Sequence, residues 1–511
     1  MAWLAIDAGT SVIKSVLFAD DGGELAVARE KTAVLREQPG WSEQNMDEVW
    51  AAVVSTVRRL VPSCPEPIRG IVSTAQGDGC WLVDRHGRQT GNAVLWNDGR
   101  AAPIVDNWRE RGIIEQAFRI SGSVPYPGLP NAILVWLAQH QPERVEGARW
   151  ALTGNGWLFA QMTGQFAAEL SDASNPFSDV RAGGYSSDVI ALYGAETYAA
   201  LLPPVLIGEL TGKLTGERLG AESTGTLIET AARQFGLRPG LPVVMAPYDI
   251  VSTAYGAGAA LPGQACVILG TTICAEVITA SLDLGASPRG TTIALGSQGE
   301  QHGKLYLRAM PTLTGCEALE WAAGMLGLEG VAALDRLASE CTDESDRLLF
   351  LPYLSPVGER SPFLAPDARG SFHGLTLSTT RAAIARSVYQ GLSFVIRECL
   401  QAAAEEPLRE IRVCGGGARS DLWCGMIADV LQMPVVRAQG SEHGARGAHL
   451  FAMAATGEIA NVAEGIQKHV VDAKIFSPRP EAHDLGNKRF TLFKQLREHA
   501  HAQWSLMAGL G

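Results

Sequence analysis

Apolar residues come in short runs broken by small or charged ones from the start of the chain. In LAIDAGTSVIKSVLF, residues 4 to 18, one run ends at Asp7, Gly9-Thr10-Ser11 intervene, and a second run spans Val12 to Phe18. The pattern predicts two strands joined by a turn. Asp20-Asp21-Gly22-Gly23 then supplies turn chemistry for a further antiparallel hairpin. Met46, Val49, Trp50, Val53, Val54 and Val57 follow helical spacing, with Asn45 or Asp47 as the cap. IRGIVSTAQGDG reads as a strand entering a loop, GCWLVD as a strand, and GLPVVMAPYDIVSTAYGAG as strand, loop and helix start. This alternation of strands and helices is the mark of an α/β protein.

The opening design returns half a chain later. ACVILGTTICAEVIT, residues 265 to 279, is again an apolar strand, a Gly-Thr turn and an apolar strand. Gly-Thr is an uncommon hairpin choice beside Asn-Gly or Asp-Gly, so the repeat predicts a duplicated domain core. The second copy has Leu269 before Gly270 and no aspartate, which predicts two related turns with different tasks. Further on, LREIRVCGGGARSDLW reads as a strand, a triple glycine and a polar helix start. Pro247, Gly256, Gly258 and Gly263 place the domain break near residues 245–260, giving domains 1–248 and 249–511.

Length and charge narrow the picture. The 511 residues suffice for two large domains, and the net charge of −12 argues against a general nucleic-acid binder. No run of about 18 uncharged apolar residues suggests a membrane span. No targeting segment is recognisable at the N-terminus, and nine scattered cysteines without a C-x-x-C pair read as reduced thiols, so a cytoplasmic protein is expected.

Two glycine–hydroxyl turns suit phosphate. Glycine lets backbone N–H groups approach closely, and Thr10, Ser11, Thr271 and Thr272 add hydroxyl donors. Asp7, beside the first turn, is the candidate Mg²⁺ ligand, and Lys14 faces either the phosphate or solvent. Asp249 follows the strand VVMA and opens a helix, as a cap or as a general base whose pKa the helix dipole keeps low. Gln76 and Asp78 in STAQGDG, Asp98 and Arg100 in LWNDGRA, and Asp172 in ELSDAS are candidates for holding a polyhydroxylated ligand, with Trp96 stacking on a sugar face. Taken singly, each reads first as a solvated loop residue.

In order along the chain, IDAGTSVIKSVLF, WSEQNMDEVW, LWNDGRA, MTGQFAAELSDAS, PYDIVSTAYGAG, ILGTTICAEV, LPYLSPVGERSPF, GSFHGLTLSTTRAAIARSVYQG and VCGGGARSDLW resemble the motifs of the FGGY-family carbohydrate kinases. The resemblance covers nearly the whole chain. It implies an α/β fold of two duplicated ribonuclease-H-like domains, of the actin/hexokinase/Hsp70 superfamily, with an interdomain cleft. It implies sugar bound mainly by the N-terminal domain and MgATP mainly by the C-terminal one. Asp249 is then the base that takes the sugar hydroxyl proton, and Asp7 lies at the metal and phosphates. Gly9-Thr10 and Gly270-Thr271-Thr272 flank the transferring phosphate. Thr314, Gly315, Gly416 and Gly417 receive the nucleotide, with Asp421 nearby. A homodimer is a family-level expectation.

Within the family the chain is most similar to pentulose kinases. WSEQ, LWNDGR and GGGARS resemble xylulokinase, while AQGDG and DIVSTA resemble L-xylulose and erythritol-type kinases. The departures collect at the sugar site. Gln76-Gly77-Asp78 replaces Gln-Met-His, Ile133 replaces a lysine, Asn155-Gly156 replaces Lys-Asp, and Ala383 stands where a polar residue is usual. The expectation is an ATP-dependent kinase of a terminal hydroxyl on a neutral ketopentose, xylulose first. Erythritol, ribitol or L-xylulose kinase is the alternative, and a non-catalytic sensor on a kinase fold the rival from another class.

Overall fold

A computed structural model describes residues 1–175, 177–206, 224–285, 287–297, 303–341 and 347–509. The chain forms two compact units. The first comprises Met1–Ala260, Ala280–Leu307 and Glu442–Val470, and the second Leu261–Thr279, Arg308–Ser441 and Val471–Gly511. The units are discontinuous, unlike the single cut expected between residues 248 and 249. The helix that Asp249 opens lies with the first unit, as does a stretch from near the C-terminus.

In the first unit, β1 (Ala2–Ala8) and β2 (Val12–Phe18) form the anticipated hairpin, and β3 (Glu24–Lys31) extends it antiparallel to β2. On its other side β1 pairs parallel with β4 (Ile68–Ala75). β4 pairs parallel with β6 (Pro242–Met245), and β6 antiparallel with β5 (Thr224–Thr226). Every residue of β1 is buried, as expected of a central strand covered on both faces. Helix α1 (Met46–Leu60) presents Met46, Val49, Val53, Val57 and Leu60 to the core, and Asn45 caps it by accepting from the Asp47 and Glu48 N–H groups.

The second unit repeats the plan. β7 (Gln264–Leu269) and β8 (Ile273–Thr279) form a hairpin, and β7 pairs parallel with β9 (Glu410–Cys414). β9 pairs parallel with β10 (Val435–Ala438), which pairs antiparallel with β11 (Asp472–Phe476). Both sheets therefore run hairpin, parallel strand, parallel strand, antiparallel edge, and the duplication read from the two Gly-Thr turns holds at the level of topology. Among the described residues no helix is long and apolar enough to cross a membrane.

Candidate active site

In the first unit, ligand-facing chemistry gathers where β1, β4 and β6 end, as open α/β sheets generally arrange it. Asp7 sits opposite Lys14 across the hairpin register. Lys14 Nζ lies 3.4 Å from Asp7 Oδ2 and 3.4 Å from Glu442 Oε2, so the lysine bridges two carboxylates rather than facing solvent. Arg29 pairs with the other oxygen of Glu442. Gly444 lets the backbone approach this cluster, because a Cβ there would stand 3.0 Å from Asp7 Oδ2. Burial raises the pKa of Asp7, against the lowering effect of Lys14, and Asp7 in turn raises the pKa of Lys14.

The first turn is tied to the loops after it. Thr10 Oγ1 donates to Gln76 Oε1 at 2.6 Å and accepts from Trp96 Nε1 at 2.9 Å. Gln76 Nε2 donates to Gln44 Oε1, and Gln44 Nε2 donates to the Thr10 carbonyl. The Thr10 hydroxyl is thus engaged within the protein, which leaves Gly9 and the exposed Ser11 as the open part of the turn. The Trp96 indole is half-buried, with its N–H on Thr10.

Asp78 is the most constrained residue of the group. It adopts a left-handed backbone, φ 54°, costly for a residue other than glycine unless its surroundings enforce it. Tyr126 and Tyr248 donate their hydroxyls to its Oδ2 at 2.6 and 3.0 Å, and Asn175 Nδ2 donates to its Oδ1 at 3.2 Å. Gly77 is required next to it, since a Cβ there would fall 1.5 Å from the Tyr248 ring. Asn175 Oδ1 and Asn155 Oδ1 are buried without a hydrogen-bond partner. Asn155 Nδ2 donates to the Ala246 carbonyl, which places it beside the loop leading to Asp249.

Asp249 is the first residue of α2 (Asp249–Ala257), and Tyr248 holds the cap position. Burial, then the negative charge of Asp7, push its pKa up to about 8. The expectation that the helix dipole keeps it low is overturned: the Ile250 N–H does lower it, but desolvation outweighs one backbone donor. Asp172 accepts from Thr153 Oγ1 at 3.2 Å, and burial with the charges of Glu169, Asp249 and Asp78 raises its pKa well above the ordinary range. Glu169, raised to about 7 by burial, accepts from the N–H and hydroxyl of Ser171. The Ser171 hydroxyl oxygen in turn accepts from the Tyr248 N–H, bracing the loop before Asp249.

Asp98 and Arg100 do another job. Their side chains have no exposed surface. Arg100 donates through Nε and Nη2 to the two Asp98 oxygens and pairs with Glu43 at 2.8 Å, its guanidinium 3.8 Å from the Trp41 ring centre. Asp98 also accepts from the Ser42 N–H. The pair is turned inward and locks its loop, so the expected sugar contact from these two residues is corrected. Ile133 is likewise wholly buried in an apolar cluster and faces no polar site.

The second unit gathers its own group. The Gly270-Thr271-Thr272 turn is closed by Gly270 N–H to the Thr272 carbonyl at 3.1 Å, and the Cys316 N–H donates to the Gly270 carbonyl. Gly315 lies flat on that turn: a Cβ would stand 2.5 Å from the Thr272 carbonyl carbon. Thr314 Oγ1 is buried without a partner. Gly415, at φ 87°, and Gly417 pack on Leu269, while Gly416 faces open space. The turn, Thr314-Gly315 and the triple glycine are therefore neighbours around Leu269. Asp421 is exposed and paired with Arg437 and Lys474, which lower its pKa.

Sequence reasoning missed Gln44, Arg29, Tyr126, Asn175, Tyr248 and Glu442. No periodicity marks them. Glu442 comes from a segment more than 400 residues beyond Lys14, joined to it only by the fold.

The sheet plan occurs twice, the first unit gathering carboxylates and amides around its Gly-Thr turn and the second gathering glycines around its own. Residues 2–256 match the N-terminal domain, and residues 265–456 the C-terminal domain, of the FGGY family of carbohydrate kinases. The chain belongs to that family, whose members are phosphotransferases that use ATP and an alcohol acceptor. It is 30% identical to L-xylulose/3-keto-L-gulonate kinase of Escherichia coli K12, over 97% of this chain and 96% of that one. It is 28% identical to xylulose kinase of the same organism, over 97% of each. The ligand-bound xylulose kinase of Lactobacillus acidophilus shares the fold at a TM-score of 0.88 and 20% identity, over 99% of both chains.

Proposed function

We propose that this kinase transfers the γ-phosphate of MgATP to a terminal hydroxyl of a neutral ketopentose, with xylulose the leading substrate. The observation that carries the substrate class is the set around Asp78. The charge of Asp78 raises the pKa of both Asp172 and Asp249, and Asp249 raises that of Asp172. Such a field repels an anionic sugar acid and accepts hydroxyl protons. The unpartnered Asn155 and Asn175 oxygens supply two more buried acceptors, which a polyol satisfies. Ile133, being core, contributes nothing to this argument, and neither do Asp98 and Arg100.

Asp249 is the base in this reading. A carboxylate near pKa 8 in the empty protein takes the proton of the attacking hydroxyl more readily than an ordinary one, and a loose phosphoryl-transfer transition state mainly needs that hydroxyl oriented. Among the described residues no three His, Cys, Asp or Glu side chains form a metal cage. Mg²⁺ binds through one or two carboxylates plus substrate phosphates and water. Asp7 would hold it, and bound Mg²⁺ supplies charge neutralisation at the phosphates. In this reading the N–H groups at Gly9 and Ser11 are the phosphate-binding groups of the first unit, with the charge of Lys14, which bridges Asp7 and Glu442, close by. Gly270, Thr271 and Thr272 are the phosphate-binding groups of the second unit in this reading, with Thr314, Gly315, Gly416 and Gly417 receiving the nucleotide.

Release of ADP from MgATP, tested across D-xylulose, L-xylulose, D-ribulose, L-ribulose, erythritol, ribitol, glycerol and gluconate, decides the substrate. D-xylulose with the highest kcat/KM is the expected result. L-xylulose or erythritol in first place establishes the second reading, which Asp78 and the relative at 30% identity favour. Preference for gluconate overturns the neutral-substrate reading.

A further inference from the structure

The second unit contains a cleft unrelated to the phosphate turns. It spans about 690 Å³, including space open to solvent, at the meeting of three helices: α3 (Arg381–Ala403), α4 (Asp421–Leu431) and the C-terminal helix α5 (His483–Ala508). Its charge opposes that of the chain. Among the described residues, Arg386, Arg479 and Arg489 line it with Asp429 as the single carboxylate, in a protein of net charge −12. Asp429 is already engaged, accepting from the Arg479 backbone N–H at 2.8 Å and from its guanidinium at 2.9 Å. Arg489 Nη2 donates to the Leu348 carbonyl at 2.7 Å. Two guanidiniums are thus held in place by the protein itself.

Arg386 is different. It is half-buried in the cleft and its side chain makes no hydrogen bond or ion pair among the described residues, and neither does that of Gln390, four residues on along the same face of α3. An arginine drawn in among other arginines with no anion beside it is an unfavourable arrangement by itself, and a ligand bearing negative charge relieves it. The remaining walls, from Leu348, Met426 and Leu485, are apolar.

We propose that this cleft binds a small organic phosphate monoester, its phosphate on Arg386, Arg489 and the Gln390 amide and its organic body against the apolar wall. Arginine forks match phosphate oxygens in pairs, which favours a phosphate dianion over a carboxylate. The site is separate from the proposed nucleotide site. Met426 and Val430, in the cleft, lie five and nine residues beyond Asp421, beside the triple glycine, on one helix, about 7.5 and 13.5 Å at 1.5 Å per residue.

Calorimetric titration of the full-length protein with inorganic phosphate and with glycerol 3-phosphate, at constant ionic strength and with saturating MgADP, tests this. Saturable binding of both is expected, weakened at least tenfold by Arg386→Ala with sugar-kinase turnover unchanged. Should Arg386→Ala fold poorly, Arg386→Lys and Gln390→Ala are expected to weaken binding severalfold with the melting temperature unchanged. Equal phosphate affinity in wild type and the Arg386 variants overturns the proposal, and so does loss of phosphate binding once MgADP is present. Acetate binding as tightly as phosphate overturns the phosphate assignment. If MgADP itself fails to bind while Arg386-dependent phosphate binding persists, the nucleotide reading falls and this one stands.

Discussion

The two Gly-Thr hairpins share a backbone plan and almost none of their chemistry. Two residues before its glycine, the first hairpin carries Asp7, and the second carries Ile268. Five residues after the glycine, the first carries Lys14, and the second Ala275. In the first, Lys14 bridges Asp7 and Glu442, and Thr10 is hydrogen-bonded to Gln76 and Trp96. In the second, among the described residues no ion pair or hydrogen bond from a side chain of the turn forms, and its neighbours include Gly315, Cys316 and the triple glycine. One duplicated element has become an electrostatic device and the other a bare backbone surface. In the proposed mechanism the charged hairpin would handle the metal and the proton, and the uncovered N–H groups of the other would lie against the nucleotide.

Asp249 belongs to the charged side, and its loss has the largest expected effect. Asp249→Asn should lower kcat on the order of a thousandfold with ATP binding retained, as stopped-flow turnover and nucleotide titration would show. Near-normal turnover would remove Asp249 as base. The same residue sets a pH dependence. Its folded pKa of about 8 lies above the unfolded value near 3.8, so the folded state holds the extra proton. The stability associated with that proton is present below pH 4 and declines as pH rises toward 8. Asp249→Asn should therefore melt higher than wild type at pH 8 and by less at pH 5. In wild type, kcat/KM for the sugar should climb from pH 6 to 8 and then level, provided Asp249 acts as the base.

Asp7→Asn strips the first hairpin of the charge that the second lacks. Turnover should fall about a hundredfold, and the Mg²⁺ concentration needed for half-maximal rate should rise. An unchanged Mg²⁺ requirement would make Asp7 a structural partner of Lys14 only.

Gly315→Ala attacks the bare side by sterics. Its Cβ would press on the Thr271–Thr272 backbone, so the turn must shift, and KM for ATP should rise about tenfold with sugar KM unaffected. Gly416→Ala sharpens the same point with the smallest change. Gly416 has a helical backbone and nothing within 4 Å of a Cβ, so stability should stay within about 0.5 kcal/mol. A severalfold rise in ATP KM in that variant means that a nucleotide uses the space. No rise places the nucleotide elsewhere.

Much of this was legible in the chain. The two hairpins, the capped helix after Asn45, the strand into Gln76 and the strand–loop–helix at Asp249 follow from local pattern, and the structure contains each. Motif order was enough to indicate the family. Asp98 and Arg100 show where such reading fails: polar residues in a loop look like ligand contacts, yet here they neutralise one another in the interior beside Glu43 and Trp41. Charge pairing over a few residues cannot be told from ligand binding without knowing which way the side chains turn.

The sequence by itself determined the strand and helix order, the duplication, the phosphate-suited turns and the kinase family, because these depend on spacing within ten or twenty residues. Tertiary structure alone decided what surrounds each carboxylate. Asp78 is enforced by tyrosines 48 and 170 residues away, Lys14 is shared with Glu442, and Asp249 is buried deeply enough to override its helix dipole. Hydrogen bonding and desolvation depend on distance in space, and the fold sets that distance.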